Sequence, residues 1–455
     1  MTSQPATGGQ PPPAAQPSAA QSPAMQSPAV QSPAVQDALA VVCASLRQGG
    51  AADAVAGVKP ALVAAPASVA EAAATMRAAA ELGLTVVPRG SGSRLSWGLA
   101  PDGCDLVIET SGLDRVIEHA HGDWVASVQA GVTLEHLAGV LAGHGQRLML
   151  DVPAPAGGGQ GTIGGVLATG MAGPKRLRYG TPRDLLTGLT VVRPDGVVAK
   201  SGGKVVKNVA GYDLGKLFAG SFGTLGLIAE ATFRLHPVPA AVAYVSNECA
   251  TAAQAAATVA AAVASPLQPS AVEIDRPVPG GSIGVSVLLE GNPAGVPARV
   301  DGMLGLLGDG AAQSGEAPAW WGHGAGDGTL IRVAFWAGAL ESILGTLDAV
   351  AAASGLRPAV GGSAGAGVLY AAIDAQAGPT AVARYVTELR TGAVRIKAGG
   401  LPPVRGSVVV LTAPPGVREL VDLWGPVPGA GLMRSVKDQF DPGHRMAPGR
   451  FAGGI

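Results

Sequence analysis

The chain has 455 residues, of which 47% are hydrophobic and 14% charged, with a net charge of −1. That length accommodates two or three domains, and the near-neutral balance with no basic face argues against nucleic acid as a partner. Cys43, Cys104 and Cys249 stand too far apart for zinc or iron–sulfur ligation or for a disulfide framework, so a reducing cytosol fits. No run of about 18 strongly apolar residues predicts a membrane-spanning helix. No basic residue precedes Arg47, so the charged start of a secretory signal is missing.

In chain order, residues 1–36 carry no charged side chain, and QSPA recurs at 21, 26 and 31. Such a segment buries too little apolar surface to offset its ordering entropy and is expected to be a disordered tail. A short helix is predicted over 37–47 and a strand over 61–65. Ser68 with Glu71 three residues on forms a capping-box pattern for a helix ending near Gly83. A strand over 84–88 then delivers the chain into RGSGSRLSWG at 89–98. Successive N–H groups of such a glycine turn can converge on a pyrophosphate, although this turn pattern alone is common. Strands are expected at 105–109 and 124–129, and Thr133 is placed to cap a helix over 134–142.

The stretch 156–237 is glycine-dense in a way unlike a linker. It contains TIGGVLATGMAGP (162–174), RYGTPRDLLTG (178–188), GGKVVKNVAGYDLGKL (202–217) and GSFGTLGLIAEATFRLHP (220–237). Glycines permit close backbone approach to a ligand. Beyond Pro237, strands are expected at 271–275, 282–291, 330–336, 368–373 and 407–412. Helices are expected at 251–264, 296–307, 340–353 and 379–389. This alternation suggests an antiparallel α+β unit.

Those four segments resemble the FAD-linked oxidase (vanillyl-alcohol-oxidase) superfamily. Within it, VVKNVAGYDLGKLFAGSFGTLG is most similar to the E-subunit family of bacterial glycolate oxidases. The resemblance implies an α+β fold: a two-part PCMH-type FAD-binding domain over 37–237, a small α+β cap over 238–432, and a segment over 433–455 returning to the FAD domain. It implies that Arg89, Gly90, Ser91, Gly92 and Ser93 wrap the pyrophosphate. Thr162, Gly164, Gly165 and Thr169 would add pyrophosphate and ribose contacts. Gly223, Gly226 and Ile228 would approach the adenine or the isoalloxazine. Ser93 matches the position where some members carry a flavin-tethering histidine, so FAD is expected to be non-covalent. Two departures from the family pattern stand out. Gly170 occupies a position where related sequences often place asparagine after Ala-Thr, and Met446-Ala447 stands where asparagine is usual before the final Pro-Gly.

The family oxidises 2-hydroxy acids, which needs a cation for the carboxylate and a base for the hydroxyl proton. The cap yields no metal-ligand spacing, and no metal is expected. Weak catalytic candidates are Arg178, Lys207 and His323. For Arg178 and Lys207 a structural role weighs equally; His323, in a glycine-rich loop, reads more readily as a solvent-facing side chain. Lys175, Arg176, Arg183 and Lys204 are read as structural or solvated, Tyr212 and Asp213 as supports of the fold. His119, His121, His136 and His144 are read as unpaired. The resemblance further implies a catalytic FAD-containing D subunit and an iron–sulfur F subunit as partners. Glycolate would be oxidised to glyoxylate and electrons passed toward quinone, in the cytoplasm or peripherally at the inner membrane. The competing expectations are a stand-alone FAD-dependent dehydrogenase of a 2-hydroxy acid such as D-lactate, and a flavin-less scaffold subunit.

Overall fold

The computed structural model describes residues 30, 32–153, 160–204, 212–322, 328–394 and 406–455. Lys207, His323 and residues 1–29 lie outside the described residues. The first layer is a four-stranded sheet in the order Leu46–Gln48, Leu62–Ala64, Leu106–Glu109, Val86–Arg89. Its last two pairings are parallel: the helix Val69–Glu81 carries the chain across to Val86–Arg89, and residues 90–105 bring it back to Leu106–Glu109 between them. Ser68 Oγ accepts the Glu71 N–H at 3.1 Å, while the Glu71 carboxylate accepts the N–H groups of Ala44 and Ala67. The expected cap is thus present and also ties down the preceding chain. The first helix runs Pro33–Val42 rather than from 37. A proline in its first turn costs no hydrogen bond there, and Val35 and Leu39 bury against the sheet.

The second sheet is antiparallel, in the order Val116–Ala120, Val125–Gln129, Leu227–Arg234, Leu186–Val192, Val198–Gly202. Its inner strands carry near-continuous apolar runs because both faces are covered. Thr133 caps the helix Leu134–Ala142 through the His136 N–H. A helix not anticipated from the sequence spans Ile163–Thr169. Two glycines in seven residues hide its propensity, yet Thr162 caps it and Gly170 ends it at φ 63°.

The cap is built on an eight-stranded antiparallel sheet. Its order is Ala312–Ser314, Ala241–Cys249, Ile283–Gly291, Ala271–Arg276, Ala359–Gly362, Val368–Ile373, Thr329–Ala334, Ser407–Thr412. Strands at 241–249, 312–314 and 359–362 were absent from the sequence reading. AVAYVSNEC and AVGG mix small and polar residues, and only pairing in the sheet holds them extended. Side chains alternate between faces. Ile331, Val333, Leu369, Ala371 and Val410 join the core under the helices Ala252–Ala264, Val296–Leu307, Leu340–Ser354 and Pro379–Val394. The intervening residues Leu330, Tyr370, Val409 and Leu411 pack instead with Trp97, Met171 and Phe222 of the first part of the chain. One face of the cap sheet is therefore a core, and the other is a lid over the first two sheets.

The C-terminal segment packs back onto the first sheet. After the helix Ala430–Phe440, Val86 donates to Arg445 O and Ala447 donates to Val86 O, both at 2.8 Å. Met446 and Ala447 are buried beside Val86, and Ala447 sits at φ 43°, a conformation asparagine tolerates better than alanine. Buried Lys437 anchors this return: its Nζ donates to Asp441 (2.6 Å), Thr224 O and Met446 O.

Candidate functional site

The strand Val86–Arg89 ends in a loop, 90–95, that faces the start of the helix Ile163–Thr169 and the turn at Phe222-Gly223. Between them lies an open crevice of about 600 Å³. The approach is close enough that a Cβ on Gly90 would lie 2.1 Å from Thr162 Oγ1, and Gly92 turns the loop at φ 80°. Only glycine allows both. Of the residues expected to hold a cofactor, Arg89, Gly90, Ser91, Gly92, Ser93, Thr162, Gly165, Thr169 and Gly223 line this crevice. Gly164, Gly226 and Ile228 do not. Gly164 packs on Ala130, Gly226 abuts the Val192 carbonyl, and Ile228 belongs to the core of the second sheet.

Arg89 contributes mainly backbone. Its guanidinium bridges Asp53 (2.8 Å) and Glu109 (2.5 Å), and Arg47 grips both oxygens of Asp53 at 2.7 Å. The Arg47 guanidinium, aided by Gly50 N–H and Arg89, holds the Asp53 carboxyl well below the usual carboxylate range. The free positive charge in the crevice comes from two arginines that the sequence reading passed over. Arg450 is buried and donates to Trp97 O (2.8 Å) and Leu95 O (3.3 Å). Its Nε and Nη1 have no hydrogen-bond partner among the described residues, and burial pushes its pKa down to about 10. Arg94 donates to Pro153 O at 2.6 Å, lies over the Trp97 ring at 5.3 Å, and leaves its Nε unpartnered. The position of Arg94, immediately after the glycine turn, was the available signal. Arg450 is brought there only by the returning C-terminus.

A second pocket, of about 330 Å³, lies where the cap sheet meets the chain after that helix. Met171, Pro153, Leu330, Tyr370, Glu273 and Ser363 line it. Met171 and Leu330 of this pocket belong to one apolar cluster with Trp97 and with Phe222 of the crevice wall, and the Arg94–Pro153 bond links the two walls. Arg176 donates to Tyr370 Oη at 3.3 Å and also to Ala172 O. Arg332 pairs across strands with Tyr370, and burial lowers its pKa beside Tyr370 and Arg176. No hydrogen bond holds the Arg332 guanidinium among the described residues. Burial pushes Glu273 up to about 8, and burial also raises Asp151 nearby.

The remaining sequence candidates fall elsewhere. Arg178 reaches Gln268 O at 3.4 Å and the Tyr179 ring at 5.6 Å, outside both pockets. Lys175 lies 3.7 Å from Glu290, which also takes Arg147 at 2.9 Å and so ties the cap to the second sheet. Lys204 pairs with Glu118, and Asp184 is a cap for Thr181. Tyr212 is 91% exposed, so it supports no core. Of His119, His121, His136 and His144, three are paired: His144 packs at 4.9 Å from His119 and 4.7 Å from His121, ring centre to centre. Among the described residues no cluster suited to a metal ion is found.

Residues 60–202 match the family described as FAD binding domain. A glycolate oxidase subunit GlcD of Bacillus subtilis (strain 168) is 34% identical over 220 residues, covering 48% of this chain and 46% of that protein. A D-lactate dehydrogenase of Archaeoglobus fulgidus is 37% identical over 172 residues, 38% of each chain. A D-2-hydroxyglutarate dehydrogenase of Xanthomonas citri pv. viticola is 36% identical over 180 residues, 40% of this chain and 38% of that one. The matches thus span half or less of these relatives' length. By fold, the chain is similar to a solved alkyldihydroxyacetonephosphate synthase (TM-score 0.67, 18% identity, 92% of this chain and 85% of that one). It is also similar to a chitooligosaccharide oxidase (TM-score 0.58, 18% identity, 85% and 90%).

The chain therefore contains a PCMH-type FAD-binding domain related to those of FAD-linked 2-hydroxy-acid oxidoreductases. The crevice fits the cofactor: a floor of glycine, serine and threonine lets a pyrophosphate reach backbone, and Arg94 and Arg450 hold N–H groups open in its wall. Its lining contains no histidine or cysteine among the described residues, in keeping with FAD held non-covalently.

Proposed function

We propose that this protein is an FAD-dependent oxidoreductase that oxidises the CH–OH group of a small 2-hydroxy acid. The observation that carries the reading is the second pocket, lined by Tyr370 on the lid face of the cap sheet, with Arg332 as its cross-strand neighbour and Arg176 donating to its hydroxyl. Ser91, Ser93, Thr162 and Thr169 would hold the cofactor's phosphates and sugars, with Arg94 and Arg450 balancing the charge. Bound FAD supplies the acceptor for the hydride leaving the substrate's α-carbon.

Arg332 has the planar fork that a carboxylate accepts, and burial lowers its pKa, so a carboxylate beside it would stabilise its charge. Arg176 keeps the Tyr370 hydroxyl turned toward the same space, where it can position the substrate oxygen. Met171 and Leu330 exclude water around the reacting carbon. The cap thus offers the carboxylate clamp that its sequence motifs did not reveal, which favours a dehydrogenase with a substrate site of its own.

Glycolate oxidation within a multi-subunit assembly, with a D-type FAD subunit and an iron–sulfur F-type subunit, is the second reading, favoured by the similarity to a glycolate oxidase subunit. No helix among the described residues is long and apolar enough to cross a membrane. The deciding experiment is anaerobic titration of the FAD-loaded full chain with D-lactate, glycolate and D-2-hydroxyglutarate. Bleaching of the flavin absorbance by one of them in the isolated protein is the expected result. A flavin that stays oxidised until partner subunits are added would transfer the activity to the assembly. A protein that never takes up FAD would leave the scaffold alone standing.

A further inference from the structure

Glu273 has no part in the binding scheme just described, yet it is the most conspicuous polar group in the second pocket. It lies on the strand Ala271–Arg276, whose Val272 and Ile274 point into the helix-covered core. Alternation therefore sends Glu273 to the lid face, where it lines the pocket beside Tyr370 and Ser363. It is 3% exposed, and its Oε1 has no hydrogen-bond partner among the described residues. A buried carboxyl oxygen left open is costly for stability, and function is the usual reason for keeping one.

We infer that Glu273 is a catalytic residue, the group that takes the hydroxyl proton of a substrate bound in this pocket beside Tyr370. The inference rests on the reading of that pocket as a 2-hydroxy-acid site. The O–H bond breaks and its proton goes to Glu273 Oε1. The electron pair left on oxygen closes the C=O bond as hydride, carrying two electrons, leaves the α-carbon for oxidised flavin. The 2-oxo acid is the product, and Glu273 returns its proton to solvent when the pocket opens.

The surroundings suit a base poised near neutrality. Burial is the main force raising Glu273, to about 8, and Asp151 from the loop before the FAD helix raises it further. Ser363 and Arg176 pull the other way. Ser286 lies directly across on the neighbouring strand. Asp275 stands two residues along on the same face, and Glu290 on the adjacent strand is neutralised by Arg147 and Lys175. The helix Ala252–Ala264, packed on the opposite face, brings no charge. A 2-hydroxy acid seated in this pocket beside Tyr370 would turn its hydroxyl toward the open oxygen.

The test uses the FAD-loaded full chain, its Glu273→Gln and Glu273→Asp variants, and whichever 2-hydroxy acid bleaches the wild type. Wild-type reduction should accelerate as pH rises through about 8, since the base must be ionised. In E273Q the rate should fall ~100-fold or more, its pH profile should flatten, and KM should change less than about threefold. E273D should recover part of the rate. Independently of turnover, infrared difference titration of the resting protein should show a protonated carboxyl band lost with a midpoint near 8 and missing from E273Q. Retention of the wild-type rate and pH profile by E273Q overturns the assignment, as does the absence of that titrating band. A wild type that no 2-hydroxy acid reduces would instead overturn the substrate reading itself, and the proton-acceptor role with it.

Discussion

The two halves of the binding apparatus are made in different ways. The FAD crevice is lined by short-range motifs: one glycine turn after a strand, one capped helix, one tight turn at Phe222-Gly223. Its chemistry is largely backbone, so small residues matter more than functional groups. The second pocket is lined by side chains that are far apart in sequence, Met171, Glu273, Leu330, Ser363 and Tyr370, with Arg332 and Arg176 beside Tyr370. A shared sheet face, rather than a shared segment, brings them together. A large flat cofactor demands local backbone geometry, whereas a small substrate demands only a few long-range side-chain coincidences.

That contrast can be broken from either side. The largest expected effect lies on the flavin side, at Lys437. Replacing it with methionine leaves Asp441 buried without its cation and removes the donor to Thr224 O, next to the crevice glycine. Breaking one side of a buried pair costs about 3–5 kcal/mol. K437M should lower the urea midpoint of the full chain and release FAD, while adding Glu or Asp elsewhere on the surface should not. Next comes Arg332→Met on the cap side. Losing a charge-assisted carboxylate contact costs about 1.5–3 kcal/mol, so kcat/KM for the acid should drop roughly 10- to 150-fold with FAD affinity unchanged. If R332M instead loses FAD, the two sites are not separate and the comparison fails.

The finest probe is Gly90→Ala. Its Cβ would meet Thr162 Oγ1 at 2.1 Å, so one of the two loops must move. Overpacking of that kind costs about 1–3 kcal/mol, here expected as weaker FAD binding measured by fluorescence quenching. Pairing it with Thr162→Ala, which removes the clashing oxygen together with the helix cap and a proposed FAD contact, should recover only part of the affinity that Gly90→Ala loses.

Legibility followed the same division. The glycine turn and the caps at Ser68 and Thr133 were readable because each depends on neighbours within a few residues, whereas the return of the C-terminus, a contact of Arg445 and Ala447 with Val86, was implied only by the family resemblance. The helix Ile163–Thr169 was not, since its glycines suit close approach better than helix propensity. In the cap, strands such as Ala359–Gly362 were invisible because their extended form is imposed by partners on either side. The candidates Arg178, Lys207 and His323 were chosen for residue type in motif-rich or loop segments. Arg178 turned out to lie at the domain junction, outside either pocket.

By itself, the sequence placed the glycine turn, the helix caps and the strand alternation, which are local and written in adjacent residues, and its resemblance to FAD-linked oxidases implied an α+β FAD-binding domain around them. Tertiary structure alone decided where the charge lies. It brings Arg450 from the C-terminus into the crevice wall, commits Arg89 to Asp53 and Glu109, and gathers Arg332, Tyr370 and Glu273 on one face of an eight-stranded sheet. The physical reason is that a charge in a low-dielectric interior acquires its meaning from what it faces, and facing is a property of packing, not of spacing along the chain.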